Sequence, residues 1–176
     1  EMEERRSILQ QCKNKGAEKE GCSVSVRYLA QVIRTWKPEQ VYAQTLLAFM
    51  LMKMDDRVVG LNYVAPEDHP VSLRDYRTHM SFIAELSKNF EGARQNVALH
   101  AGELTLGLVP PEHLGWHIRD AVGIAGAKRI GHGIDISYDP DMYQTLQLMA
   151  EGEVAVEINL TSNDVILGVS GKDHPI

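Results

Sequence analysis

The chain has 176 residues, with 18 Lys+Arg against 24 Asp+Glu and a formal net charge of −6 at pH 7. That balance leaves no electrostatic footprint for nucleic acid or for an acidic membrane surface. Hydrophobic residues at 44% and charged residues at 24% match a packed globular core and exclude a disordered chain.

The longest apolar run, residues 45–54, is well short of the roughly 20 residues of a membrane span. The first 19 residues are charged throughout, so they do not read as a signal peptide. Cys12 and Cys22 are too few for a disulfide scaffold, and the expectation is two reduced thiols in a cytoplasmic protein. No Met opens the chain, and it stops at His174-Pro175-Ile176 without a cap. We therefore expect one segment, residues 1–176, of a larger domain.

Residues 1–22 are expected to form a helix and a loop, leading to a first strand over 24–29. Pro38 opens a helix that places Val41, Thr45, Ala48, Phe49 and Met52 on one face. The methionines Met50, Met52 and Met54 read as helix packing and surface. Residues 58–64 form a second strand, closed by Ala65-Pro66. Ser72 with Asp75 three residues later suggests a capped helix start, continued by Tyr76, Met80, Ile83 and Leu86. A third strand spans 97–101. Residues 112–126 carry Leu114, Ile118, Ala121, Val122 and Ala125 at helical spacing. Residues 129–134 make a short Gly-rich strand. Asp139-Pro140 starts a helix bearing Met142, Tyr143, Leu146, Met149 and Ala150. Residues 154–160 form the last strand, and 161–164 its exit loop.

Five strands alternating with four helices predict an α/β fold with a parallel sheet, built from right-handed βαβ units. Two closures satisfy this pattern: an open doubly wound sheet, or an arc of a (β/α)8 barrel, which takes about 250 residues when complete. Gly131-His132-Gly133 lacks the third glycine of a dinucleotide fingerprint, and no phosphate-binding loop of the Walker type occurs.

The chemistry-bearing residues fall at predicted strand exits: Asn62 and Glu67, His100 and Glu103, His132 and Asp135, Asn159 and Asn163. Ligands of parallel α/β folds bind outside those ends. His100 and Glu103 are three apart, so an extended chain would point them to opposite faces. Gly102 supplies the freedom to turn and bring both to one pocket. A histidine metal ligand with a carboxylate proton shuttle fits that pair. His132, flanked by two glycines, suits a general base or an electrostatic stabiliser. His113 and His117 are expected to be surface or helix-packing residues, on a helix away from the strand ends. His69, His79 and His174 receive no role.

Three segments together resemble the adenosine deaminase family: Val97-Ala98-Leu99-His100-Ala101-Gly102-Glu103-Leu104, Arg129-Ile130-Gly131-His132-Gly133 and Asn159-Leu160-Thr161-Ser162-Asn163. Residues 58–68 resemble the family's preceding strand, particularly in the adenosine-deaminase-related growth factor branch and its bacterial relatives. The resemblance implies strands three to seven of a (β/α)8 barrel and one catalytic zinc. It implies His100 as a zinc ligand, Glu103 as proton donor to the purine ring nitrogen beside the attacked carbon, and His132 as acceptor of a proton from the attacking water. The main chain of Ala65, where the family usually has Gly, would meet the base together with Gly102. Asn62 stands where the family commonly has Asp.

The family's His-x-His and Asp-Asp metal pairs have no counterpart here, and Asp55-Asp56 is not placed to substitute. The implied partners are a purine nucleoside and water, with no nucleic acid and no membrane. The alternatives are an aminohydrolase of adenine or AMP, or a non-catalytic nucleoside-binding or interaction module. The segment alone is expected to be inactive and to self-associate through open sheet edges.

Overall fold

The computed structural model describes residues 25–91 and 96–175. Five strands form one sheet in the order β1-β2-β3-β4-β5: β1 Tyr28–Ile33, β2 Val58–Val64, β3 Val97–Ala101, β4 Arg129–His132 and β5 Ala155–Glu157. All neighbouring pairs are parallel. The helices are α1 Pro38–Met54, α2 Pro70–Ser87, α3 His117–Gly123, α4 Met142–Glu151 and α5 Leu160–Leu167. This is the α/β arc of a partial (β/α)8 barrel. No helix among the described residues is long and apolar enough to cross a membrane.

The core lies between the sheet and the helices. Val41, Ala48 and Phe49 of α1 and Tyr76, Met80 and Ile83 of α2 are buried against Leu61, Tyr63, Val97 and Leu99. Tyr63 carries its hydroxyl into this layer and meets Thr45 Oγ1 at 2.5 Å. Thr45 Oγ1 also donates to Val41 O at 2.7 Å, so the buried Tyr63 hydroxyl is satisfied by donating to Thr45. Alternation along β2 and β3 turns Asn62 and His100 to the opposite face of the sheet, which in a barrel is the interior.

Several boundaries differ from the sequence expectation. The first strand is Tyr28–Ile33, not 24–29, because its register is set by the six-residue pairing with β2 from Tyr28↔Val58 to Ile33↔Val64. Helix α2 starts at Pro70: His69 is the N-cap, its Nδ1 accepting from Val71 N–H at 3.2 Å, while Ser72 donates to Pro66 O at 2.8 Å. Residues 112–126 are not one helix. A 3-10 turn over Pro111–His113 is followed by Gly115 at φ 78°, and α3 begins only at His117.

The last strand shrinks to Ala155–Glu157, and the expected exit loop is helix α5. Helix α4 starts at Met142 with Asp141 as N-cap, later than the expected Asp139-Pro140; the Asp139 carboxylate braces that start, accepting from Asp141 N–H at 2.8 Å and from Thr145 Oγ1 at 2.6 Å and pairing with Arg119. The helix and loop expected over 1–22, with both cysteines, lie outside the described residues.

Candidate active site

The strand exits deliver their polar residues to one place. His100, the fourth residue of β3, has its ring centroid 5.5 Å from that of His132 at the end of β4. Glu103, two residues beyond β3, brings Oε1 to 3.5 Å from His132 Nε2. Gly102 makes this convergence, as the turn required: its φ is +83°. A side chain there would be blocked, since a Cβ would lie 2.6 Å from Asp135 Oδ1.

Each of the three groups has a fixed orientation. His100 Nδ1 lies 3.1 Å from Asn62 Oδ1 and 3.2 Å from Tyr63 O. Two oxygens there assign the proton to Nδ1 and leave Nε2 as a lone pair facing the barrel interior. Burial, with the charges of Arg34 and His132, lowers the His100 pKa and favours that neutral form. His132 is buried and held in the left-handed region at φ 75°. Its Nδ1 donates to Asn163 Oδ1 at 2.7 Å, which leaves Nε2 as the basic nitrogen. Glu103 Oε1 accepts from Ser162 Oγ at 2.7 Å. Backbone held off its ordinary wells, as at His132, concentrates at functional sites because surrounding contacts must enforce it.

Ala65 follows β2 at φ 88°, a conformation that suits glycine. Its carbonyl accepts from Arg34 Nε at 2.9 Å, and Arg34 Nη1 reaches His100 O at 3.2 Å. Arg34 is 2% exposed and clamps two strand ends to each other.

The sequence model of the adenosine deaminase family matches residues 2–176. The chain belongs to the adenosine deaminase family. It is 27% identical over 150 residues to an adenosine deaminase of Vibrio vulnificus (strain YJ016), which covers 85% of this chain and 39% of the relative. It is 38% identical over 81 residues to an adenosine deaminase of Clostridium perfringens (strain 13 / Type A), covering 46% of this chain and 21% of the relative. The chain thus spans well under half the length of the curated relatives it matches.

Members of the adenosine deaminase family are generally metal-dependent, and half-buried His100 fits the part of one ligand: Nδ1 is engaged by neighbouring oxygens, which leaves Nε2 for a metal, and its pKa is lowered toward the neutral form. Among the described residues no group of three or more His, Cys, Asp or Glu gathers to hold a metal ion.

The structure corrects one sequence expectation at the site. His117 is a helix-packing residue, its ring stacked on Tyr76 of α2 with centroids 4.0 Å apart, but it does not lie away from the strand ends. It is fully buried at the start of α3, with Nδ1 at 2.6 Å from Glu67 Oε1. The break after His113 turns α3 back toward the strand ends, which helical spacing alone hides. Arg34 and Ser162 were also not singled out as site residues. Arg34 had a signal, since a charged residue closing the apolar run Val32-Ile33 marks a strand exit like the other four.

Two carboxylates lie behind the site with opposite ionisation. Burial acts to raise Glu67, but the His117 hydrogen bond, the His117 and Arg34 charges and the Gly102 N–H more than reverse it, down to about 2. Burial, reinforced by the charge of Glu67, pushes Asp135 up to about 8.

Proposed function

We propose that this protein catalyses the zinc-dependent hydrolytic deamination of adenosine, or a related 6-aminopurine nucleoside, to inosine and ammonia. The observation that carries the reading is the convergence of His100, Glu103 and His132, with His100–His132 ring centroids 5.5 Å apart and Glu103 Oε1 at 3.5 Å from His132 Nε2. The Vibrio vulnificus and Clostridium perfringens relatives are both adenosine deaminases, which points the same way.

A zinc ion held in part by His100 Nε2 would supply the Lewis acidity that brings the pKa of the attacking water toward about 7. His132 Nε2 takes a proton from that water, its Nδ1 being fixed by Asn163. The water oxygen bonds to the carbon bearing the amino group. Glu103 gives its proton to the adjacent ring nitrogen, which keeps negative charge from building up there. Ser162 holds Oε1 of Glu103 and so keeps the carboxyl beside His132. His132 then returns its proton to the amino group, which leaves as ammonia, while the hydroxyl proton passes to Glu103 and the carbonyl forms. The main chain at Ala65 and Gly102 borders the base.

A catalytic zinc takes about three protein ligands, and His100 supplies one. The 176-residue chain by itself is therefore proposed to be a poor catalyst that binds zinc weakly, and the cytoplasm is the compartment we assign to the protein.

The test is Glu103→Gln in the intact protein, assayed with adenosine, adenine and AMP. Turnover should fall at least about 10²-fold, the scale of a lost general acid, with zinc content unchanged. Loss of zinc in that variant would mean that Glu103 is a metal ligand. No turnover of any of the three by the natural protein would refute the deaminase reading.

A further inference from the structure

Glu67 is 1% exposed and takes no part in the proton transfers above. Its carboxylate is nonetheless directed wholly at the catalytic turn. Oε1 accepts from Gly102 N–H at 3.0 Å and Oε2 accepts from Glu103 N–H at 2.9 Å. His117 Nδ1 reaches Oε1 from behind at 2.6 Å. Two successive backbone N–H groups thus share one carboxylate, one on each oxygen. This pairing sets the planes of both peptide groups flanking Gly102, and with them the direction in which the Glu103 side chain departs.

Burying a carboxylate costs several kcal/mol unless its oxygens are satisfied. A core that needed only volume at this position would be filled by an apolar residue. A neutral amide of the same shape would accept at one oxygen but present N–H groups to the second peptide N–H. Only a carboxylate accepts from both and from His117 as well. Arg34 grips the same strand exit from the other side through His100 O at 3.2 Å. Asp135, behind Gly102, is held protonated by burial and by the Glu67 charge, which leaves Glu67 as the ionised carboxylate facing the turn.

We propose that Glu67 is a positioning residue for Glu103: its carboxylate, backed by His117, locks the Gly102–Glu103 backbone so that the Glu103 carboxyl is held in line with the purine ring nitrogen. The link to proton transfer rests on the deaminase reading, whereas the locking of the turn does not.

The experiment uses the intact protein. Glu67→Gln should lower kcat roughly 10–100-fold, the scale of a misplacement near 1 Å. KM for adenosine should move less than about threefold, as for an interaction used only in the transition state. Zinc content should be unchanged, and hydrogen exchange at the Gly102 and Glu103 amides should quicken. Glu67→Asp, which keeps the charge on a shorter arm, should recover part of kcat. Three results would overturn the proposal: kcat within about threefold of the natural protein, a loss explained by lost zinc, or unchanged exchange at the two amides.

If Glu67→Gln does not fold, His117→Gln carries the test. It leaves both bonds from Glu67 to the turn but removes their backing, so a smaller loss of kcat with faster exchange at the same amides is expected. No change in either would overturn the proposal. If the natural protein deaminates no aminopurine, the function falls, and amide exchange in Glu67→Gln still decides whether the carboxylate locks the turn.

Discussion

Gly102→Ala is the substitution whose cost can be built most directly from the geometry. Gly102 has φ +83°, where an L side chain costs about 1–2 kcal/mol. The added Cβ would lie 2.6 Å from Asp135 Oδ1 and 3.0 Å from Ile118 Cδ1. Ile118 is 2% exposed and Asp135 is fully buried, so neither side chain can swing into solvent. Overpacking of a closed core adds about 1–3 kcal/mol. The sum is a destabilisation of about 2–5 kcal/mol.

If the turn yields instead of the core, the N–H groups of Gly102 and Glu103 slide off Glu67 and the Glu103 carboxyl moves. Shifts near 1 Å in a catalytic group cost about 10²-fold in rate. Urea unfolding of the natural protein and the variant gives the first quantity, and steady-state turnover of adenosine the second. A stability change below about 1 kcal/mol together with unaltered kcat would refute the argument, because the turn would then tolerate a side chain where the structure leaves no room.

Asp135→Asn should flatten the pH dependence of stability. The natural carboxyl is raised from 3.8 to about 8 on folding, so its contribution is fully present below pH 4 and is lost as pH rises toward 8. The loss runs at up to about 1.4 kcal/mol per pH unit. Asn keeps an acceptor for Gly115 N–H and cannot ionise. Parallel stability curves for the two proteins between pH 4 and 8 would contradict this. At Ala65, φ 88°, Val should cost about 2 kcal/mol or more in thermal unfolding while Gly should be near neutral; equal melting temperatures for both would count against the described backbone. The isolated 176-residue chain should associate, since β1 and β5 pair on one side only among the described residues. Light scattering that returns a monodisperse monomer would exclude it.

Local sequence determined the kinds of elements and their order. Val58–Val64, Val97–Ala101 and the start of α1 at Pro38 stand where expected, because an apolar run or a proline at a first turn acts within a few residues. The chemistry-bearing residues His100, Glu103 and His132 were legible for the same reason, as each closes a strand or its first turn. The ends of the sheet were not. Tyr28–Ile33 is a strand because β2 lies beside it, whereas residues 24–29 carry the clearer alternation, Val24-Ser25-Val26. The shortness of β5 and the helix in place of its exit loop likewise depend on partners outside the local window.

Only the tertiary structure decided what stands behind the site. Glu67 and His117 are 50 residues apart and meet at 2.6 Å. Arg34 joins Ala65 to His100 from 31 and 66 residues away. Buried charges need partners, and partners that far along the chain leave no periodicity or spacing to read. The converging polar residues could be picked out from their own strands; what stands behind them depends on where three strands and a broken helix come together.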